Sequence, residues 1–331
     1  MSDINQTANE FKRRLLARER AASSELVRAY AVACGRIEER INELTAQITG
    51  ARRKGEIISS GFLYERNRLT NLRLDIRVEM QRFSQVASLR VVAEQRAART
   101  AAAADAQVLI GEAGGAPVAV RLGMLERDAV RNAVGFASDG SPLQSLFGES
   151  GVRVAERVTG ELVASVAEGA HPRVIAARVR RVFGGDLARA LTIARTETLR
   201  TYRETTRETY MAHSDVLSGW YWQAALSLRT CAMCLSMHGR VFPVGVRMVS
   251  HPNCRCVQVP LVRDAELPET GAEWFARQES GLQKSVLGRG KYRAFKEGKM
   301  QLSDLEGTRT SPRWGLTRFE KPLSAIINET E

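Results

Sequence analysis

The sequence lacks any apolar run long enough to cross a bilayer as a helix, which takes about 18 to 20 residues. Its first thirty residues carry several Lys and Arg side chains and contain no apolar core stretch of the kind found in secretory signals. We therefore expect no membrane span and no signal peptide. The chain is expected to be made and folded in the cytoplasm.

Aromatic residues are also scarce, at 6% of the 331 residues. This scarcity, together with many Ala, Leu, Val and Arg residues, favours a helix-rich protein over a large β-sandwich. Hydrophobic residues make up 44% of the chain, which is enough for a substantial core, and the length allows two domains.

Several enzyme signatures are missing. There is no P-loop, no G-x-S-x-G element and no H-E-x-x-H helix, and no His is followed two residues later by Glu as zinc deaminases require. These absences favour a protein that is not an enzyme. A zinc-dependent nuclease of the ββα-metal kind stays open, although no convincing set of catalytic residues accompanies the cysteines.

The charge is strongly unbalanced toward basic residues, with a formal net charge of +12 and a pI near 10.0. Such an excess favours an anionic partner, either nucleic acid or an acidic protein surface. The alternative is a basic soluble protein whose arginines only face solvent. The Arg-rich second helical arm, described next, is open to both interpretations.

The first 112 residues predict a long helical hairpin of coiled-coil character. Residues 5–48 form one predicted helix, Arg52–Gly55 a turn, and a second helix runs from Phe62 to about Gln107. The predicted second-arm core includes Leu69, Leu72, Ile76, Met80, Phe83 and Val86. Alternating spacings of three and four predict a heptad seam on the first helix. That seam consists of Val27, Tyr30, Cys34, Ile37, Ile41, Leu44 and Ile48.

The rest of the chain predicts three further segments: helical 118–214, a Cys/His-clamped module at 215–262, and short helices over 263–331. Pro172 is expected to open a helix, and Gly184 and Gly185 to end it before Asp186 caps another. In the module, strands are expected at Trp220–Gln223 and at Val257–Val259, ending at Pro260. The predicted fold is thus mainly α with a small α+β module near the C-terminus.

Four of the five cysteines lie within that module. Cys231 and Cys234 form a C-x-x-C pair, which can present two thiolates to one tetrahedral metal, and the segment after it supplies His251, Cys254 and Cys256. These five residues are the candidate metal ligands for four positions. Cys254 and Cys256 would point to opposite faces of an extended segment, so one of them is expected to be spare. The order of preference is Cys231, Cys234 and His251, then Cys256 slightly ahead of Cys254. His238 is a weaker candidate.

Two alternatives to metal remain open at this stage: two disulfides, which would suit a particle that leaves the reducing cell, or cysteines that are reduced and simply buried. If zinc binds, four protein ligands would leave no open position for water. The predicted cofactor is therefore a structural zinc ion rather than a catalytic one.

An ordered series of motifs resembles one family, the phage head morphogenesis proteins, also known as Mu F-like minor capsid proteins. The series begins with Ile193–Glu197 in a helix and Gly219–Trp222 in a strand. It continues with Arg229–Cys234, with Gly239–Phe242, and with H-P-N-C-R-C at 251–256 before Pro260. The tail, including Gly271–Phe275 and Leu302–Leu305, is also similar to the segment that often follows this module. One departure is that no acidic residue precedes Arg229 within 224–228.

This resemblance implies a virion protein present in few copies in the head near the portal, made in the host cytoplasm. The implied partners are the portal protein, a major capsid or scaffold protein, and packaged DNA as a further candidate. The implied role is structural, in head assembly and in DNA packaging or ejection. The alternative function is that of a nucleic-acid-binding zinc protein or a zinc-dependent nuclease.

Overall fold

A computed structural model describes residues 2–56, 60–114, 134–137, 140–227, 230–263 and 265–328. Helices dominate these residues, and five short strands lie in the C-terminal part. The helices are α1 (Ser2–Arg53), α2 (Ser60–Tyr64), α3 (Arg68–Gly114), α4 (Leu143–Ala167), α5 (Pro172–Met211), α6 (Ala232–Met237), α7 (Gly271–Ala276), α8 (Ser280–Lys296) and α9 (Leu323–Asn328). The strands are β1 (Leu217–Gln223), β2 (Val241–Phe242), β3 (Val257–Val262), β4 (Glu306–Ser311) and β5 (Gly315–Glu320). Two 3₁₀ turns lie at Glu65–Asn67 and Leu302–Leu305.

The chain divides into two compact units, each made of stretches distant in sequence. Unit 1 comprises residues 1–19, 94–140 and 196–331, and unit 2 comprises residues 20–93 and 141–195. The four-segment division expected from the sequence stays a prediction.

In unit 2, α1 and α3 run antiparallel. Ion pairs link Arg36 to Glu79 at 3.0 Å and Arg90 to Glu25 at 3.0 Å. The buried positions of α1 recur about every 3.6 residues, the period of a straight helix, because the stripe must keep facing one core. This places Leu26 in the core and leaves Val27 exposed, so Val27 was wrongly placed in the heptad seam. Val86 on α3 is likewise half exposed, while Ala87 is buried.

Helix α5 does not end at the Gly184–Gly185 pair, so that prediction was wrong. The helix runs unbroken from Pro172, as expected for its start, to Met211. Each glycine costs a helix about 1 kcal/mol, but Val182, Phe183 and Ala190 are buried around the pair and hold it helical. Asp186 is not a cap. It is buried and accepts hydrogen bonds from the Tyr30 hydroxyl at 3.3 Å and from Arg153 at 3.1 Å.

Unit 1 is built on a three-stranded antiparallel sheet in the order β2-β1-β3. Trp220 on the central strand β1 lies opposite Phe242 on β2 and opposite Pro260 on β3. Strand β3 continues through Pro260 to Val262, beyond the predicted end. Proline is tolerated there because β3 lies at the edge of the sheet, where its missing N–H breaks no ladder.

The first turns of α1 pack against this sheet within unit 1. Ile4, Ala8 and Phe11 share a buried cluster with Tyr221 and Val259. Asn5 adds a polar anchor to the same contact. Its side-chain oxygen accepts from the Tyr221 hydroxyl at 2.5 Å and from Gln223 Nε2 at 3.2 Å.

The C-terminal part of unit 1 contains the predicted short helices α7 to α9, packed around the fully buried Phe275. It also contains a β4–β5 hairpin, with Glu306 opposite Glu320, that the sequence analysis did not predict. Gly288 lies inside α8 with φ of 72°, a left-handed value, so the helix is kinked there.

The predicted fold class is confirmed: the structure is mainly α, with an N-terminal helical hairpin and a small strand-containing module that carries the Cys/His cluster. The predicted helix over 118–133 lies outside the described residues. Within the described part of the chain, no helix is long and apolar enough to cross a membrane.

Candidate metal centre

The C-x-x-C pair lies at the start of α6. Cys231 is the residue that caps this helix, with extended backbone (φ −68°, ψ 154°), and its sulfur accepts the Cys234 backbone N–H at 3.4 Å. Cys234 therefore lies in the first turn of α6, three residues after Cys231, and is buried. The local turn thus brings two sulfur atoms to one side of the helix, as the spacing predicted.

The second half of the cluster is a tight turn from His251 to Cys254. The Cys254 N–H donates to the His251 carbonyl at 3.2 Å, and Asn253 has a left-handed φ of 65°. Asparagine adopts this conformation more readily than most residues. The turn is fixed to helix α5 because the Asn253 N–H donates to Thr196 Oγ1 at 3.1 Å.

The two halves meet at Cys234. Its sulfur lies 3.1 Å from His251 Nε2 and 3.7 Å from the Cys254 sulfur, and Cys231 lies 3.3 Å from the same His251 nitrogen. Two groups of mutually close ligand atoms result, each with separations within 4.8 Å: Cys231, Cys234 and His251, and Cys234, Cys254 and Cys256. The structure thus brings all five predicted ligands together.

These separations suit a bound metal ion. Zinc–sulfur bonds of about 2.3 Å in a tetrahedron place neighbouring sulfur atoms about 3.8 Å apart. His251 is also oriented as a ligand: its Nδ1 lies 2.7 Å from the Pro252 carbonyl. A proton on Nδ1 donated to that carbonyl leaves the Nε2 lone pair facing the cysteines, which is the arrangement of metal-binding histidines. The cluster could therefore hold a metal ion.

The pKa values of the cysteines and of His251 are shifted in opposite directions within the cluster. The hydrogen bond from Cys234 lowers the pKa of Cys231 to about 5, and His251 acts in the same direction. Burial alone would lower the pKa of His251, but Cys231 and Cys254 raise it to about 10. Hydrogen bonds from Cys234 and Cys256 hold the pKa of Cys254 well below its ordinary value. Thiolates are the form of cysteine that binds metals.

His238, the weaker candidate, belongs to neither group of close ligands. It is buried, and its Nδ1 accepts the Ala224 backbone N–H at 3.0 Å. Burial, with Lys12 nearby, lowers the pKa of His238 to about 4, so the neutral ring that accepts this bond is favoured. His238 thus anchors the backbone that follows β1.

Three residues important to the cluster were missed. Thr196 holds the second turn, as described above. Arg203, seven residues further along α5, donates to the carbonyls of Cys254 and Cys256. Lys12 of α1 is buried near Cys256, and burial lowers its pKa to about 8. Thr196 lies within the Ile193–Glu197 motif and on one helical face with Arg203, whereas nothing local ties Lys12 to the module.

Arg195 and Glu197 belong to the helical motif Ile193–Glu197, which carries part of the family resemblance. The structure shows that Glu197 is fully buried and that its carboxylate binds Arg200 Nε at 2.7 Å. The same face of α5 lines a cavity of about 150 Å³. Arg200, Arg203, Arg247, His251 and Trp314 are among its lining residues.

Comparison with known proteins gives one match to a family. Residues 156–259 match the family model described as Phage Mu protein F like protein. This segment is just under a third of the chain and contains β1, β2, the first half of β3 and all five candidate ligands. The resemblance to Mu F-like phage head morphogenesis proteins is thereby confirmed for this segment. No curated protein and no solved structure matches the chain significantly.

Proposed function

We propose, from the match of residues 156–259 to the Mu F-like family, that the chain is a minor capsid protein of a tailed phage or phage-like particle. Its role is structural, in head assembly, at the portal and the inside of the head, with effects on DNA packaging or ejection. The observation that carries the proposal is the family match over the strand module with its Cys/His cluster. The portal protein and a major capsid or scaffold protein are the proposed partners.

Co-assembly tests this function. The chain is expressed with the portal and major capsid proteins of the same phage, and particles are separated by sedimentation and analysed by quantitative mass spectrometry. We expect the chain in particles, in far fewer copies than the major capsid protein, and on isolated portal rings. Recovery only as free protein, with particles of unchanged composition and yield when it is omitted, contradicts the proposal.

We further propose that the cluster binds a structural zinc ion through Cys231, Cys234, His251 and Cys254. Cys254 is favoured as the fourth ligand because its sulfur contacts Cys234 and because it also interacts with His251. This reverses the order suggested by the sequence alone. Four protein ligands leave no site for an activated water, which supports a structural role and no catalytic one.

Metal content after single substitutions tests the ligand set. Wild-type protein purified under reducing conditions should contain about one zinc per chain, as a single four-ligand site requires. Cys234→Ser, which removes the residue common to both groups, should abolish binding. Cys256→Ser should retain the metal. Cys34→Ser is the matched control because Cys34 lies on α1, outside the cluster. Loss of zinc in Cys256→Ser with retention in Cys254→Ser would contradict the assignment.

The cavity beside α5 supports DNA as an additional partner. Three arginines and one acid, Glu204, are among its lining residues, and Trp314 stands at the turn of the β4–β5 hairpin. Guanidinium groups bind phosphate oxygens, and an aromatic ring such as that of the partly exposed Trp314 can stack on a base. We propose that DNA phosphates contact Arg247, which is half exposed and which, in the described part of the chain, forms an ion pair with Glu204. The net charge of +12 also favours binding to the anionic DNA backbone.

DNA binding at several salt concentrations tests this contact. Arg247→Gln should weaken binding and reduce the slope of log affinity against log salt by about 1, as expected for one lost phosphate contact. Arg277→Gln is the control because Arg277 is also more than half exposed and ion-paired, to Glu269, but does not line the cavity. Equal effects of both variants would refute a specific contact. DNA cleavage by the metal-loaded protein would favour the nuclease alternative.

A further inference from the structure

Two buried cations lie beside the cysteine cluster. Arg203 and Lys12 are each only 5% exposed. Arg203 donates to the Cys254 carbonyl at 2.7 Å, to the Cys256 carbonyl at 3.0 Å and to Ser250 Oγ at 2.9 Å. Lys12 Nζ donates to the Ala224 carbonyl at 3.3 Å. Within the ranges that the structure describes, neither cation is paired with a carboxylate.

Carbonyl oxygens satisfy the hydrogen-bonding capacity of these cations but do not balance their charge. Burying an unpaired ion costs several kcal/mol even after the protein relaxes. Arginine cannot avoid this cost by losing its proton, because its guanidinium group stays protonated in proteins. A compensating negative charge is therefore required close to Arg203, and the same holds for Lys12 when it is charged.

The cysteines are the groups placed to supply that charge. Arg203 donates to the carbonyls of Cys254 and Cys256, and Lys12 donates to the carbonyl of Ala224, which lies in the same buried cluster as Cys234, Cys254 and Cys256. Disulfides and protonated thiols are both neutral, so either state would leave the two cations buried without compensation. Three thiolates around a divalent ion carry a net charge of −1, and four carry −2.

We infer that Arg203 and Lys12 are the counter-charges of a metal–thiolate centre, and that the cluster works in this anionic form rather than as disulfides. The inference rests on the zinc site proposed above. Arg203 has a second effect. It donates hydrogen bonds to the carbonyls of Cys254 and Cys256, and so positions Cys254. Lys12 comes from α1, so the metal centre also stabilises the contact of the first turns of α1 with the sheet in unit 1.

Metal affinity of Lys12 variants tests the inference. Zinc and cobalt affinities are measured by competition with a chelator for the wild type, Lys12→Met and Lys12→Arg. Lys12→Met should bind about tenfold more weakly, in the range found when groups supporting metal ligands are removed. Lys12→Arg should restore most of the affinity because it keeps the charge. Arg14→Met is the control, since Arg14 lies two residues away on α1 but is exposed and paired with Asp105.

The cobalt spectrum separates a charge effect from a folding defect. An unchanged thiolate-to-cobalt charge-transfer band in Lys12→Met would show that the same ligands bind, only more weakly. Unchanged or tighter affinity in Lys12→Met overturns the counter-charge role while leaving the zinc site intact. A wild-type protein that binds no metal and has blocked thiols overturns the zinc site itself. Arg203→Lys extends the test, and Lys12→Met decides it if Arg203→Lys does not fold.

Discussion

Replacing Asn5 by alanine tests how strongly the first turns of α1 are held to the sheet. The substitution removes the acceptor of the Tyr221 hydroxyl, and Tyr221 is 2% exposed, so this hydroxyl has little access to water. A buried polar group left without a partner costs about 1–3 kcal/mol. Gln223 keeps a weak bond to the Asn5 backbone carbonyl at 3.5 Å, so its loss is small. We expect unit 1 to lose about 2–3 kcal/mol in all.

Urea unfolding followed by tryptophan fluorescence measures this loss. All four tryptophans belong to unit 1, so the signal reports that unit. Tyr221→Phe alone should cost about 1 kcal/mol because it removes one hydrogen bond and leaves no buried donor. In the double variant, Asn5→Ala with Tyr221→Phe, the orphaned hydroxyl is absent. The free energy lost in the double variant should therefore be about 1–2 kcal/mol smaller than the sum of the losses in the two single variants. Additivity within about 0.5 kcal/mol would refute the reasoning.

Three further changes follow from the structure. Gly271→Ala should destabilise unit 1 by about 3 kcal/mol or more in thermal unfolding, since its Cβ would lie 1.8 Å from the Leu235 carbonyl oxygen, whereas Gly281→Ala meets nothing and should be tolerated. Asp186→Ala should cost about 2–3 kcal/mol in urea because the buried Tyr30 hydroxyl loses its acceptor, while Asp186→Asn, which keeps an acceptor, should cost less. The pKa of His238 is lowered to about 4, so the unfolded chain takes up the proton first and unit 1 should lose stability as the pH falls from about 6.5 toward 4. His238→Gln should show a smaller loss over that pH range, and an identical pH profile would contradict the assignment.

Local sequence signals predicted the helices and the ligand turns well. The apolar stripe of α1 and the C-x-x-C spacing depend on residues within a few positions of each other, which periodicity captures. The start of α5 at Pro172 is confirmed for the same reason. The error at Val27 arose because a spacing of 3.5 and one of 3.6 residues differ by only about 20° per heptad.

Predictions failed where distant residues decide the outcome. Gly184 and Gly185 carry a local helix-ending signal, but buried neighbours and the bonds of Asp186 within unit 2 override it. The β4–β5 hairpin was missed because its strands are short and rich in Thr and Arg, and within these two strands only Gly307 and Thr317 are buried. Such strands show no apolar alternation, although Gly315 with φ of 62° closes the turn.

The candidate site likewise has one part that the sequence predicted and one part that it did not. Its five candidate ligands were identifiable from two short motifs, because a tight turn fixes which side chains can share a metal. The supporting residues were not. Arg203 is 51 positions from Cys254 and Lys12 is 212 positions from Ala224. Contacts over such separations are set by the tertiary fold, and a single sequence carries no trace of them.

The discontinuous make-up of unit 1 has a consequence for biosynthesis. Asn5 and Tyr221 are separated by 216 residues, so a ribosome adding about 5–20 residues per second needs roughly 10–40 s to deliver the partner of the first helical turns. Throughout that interval the nascent chain presents Ile4, Ala8 and Phe11 to solvent without the strands that cover them in the folded protein. Contacts of such long sequence separation also form slowly after release. Production of folded protein should therefore depend on chaperones that bind these apolar side chains until the strands of the sheet have been synthesised, and yields should fall when synthesis is slowed without them.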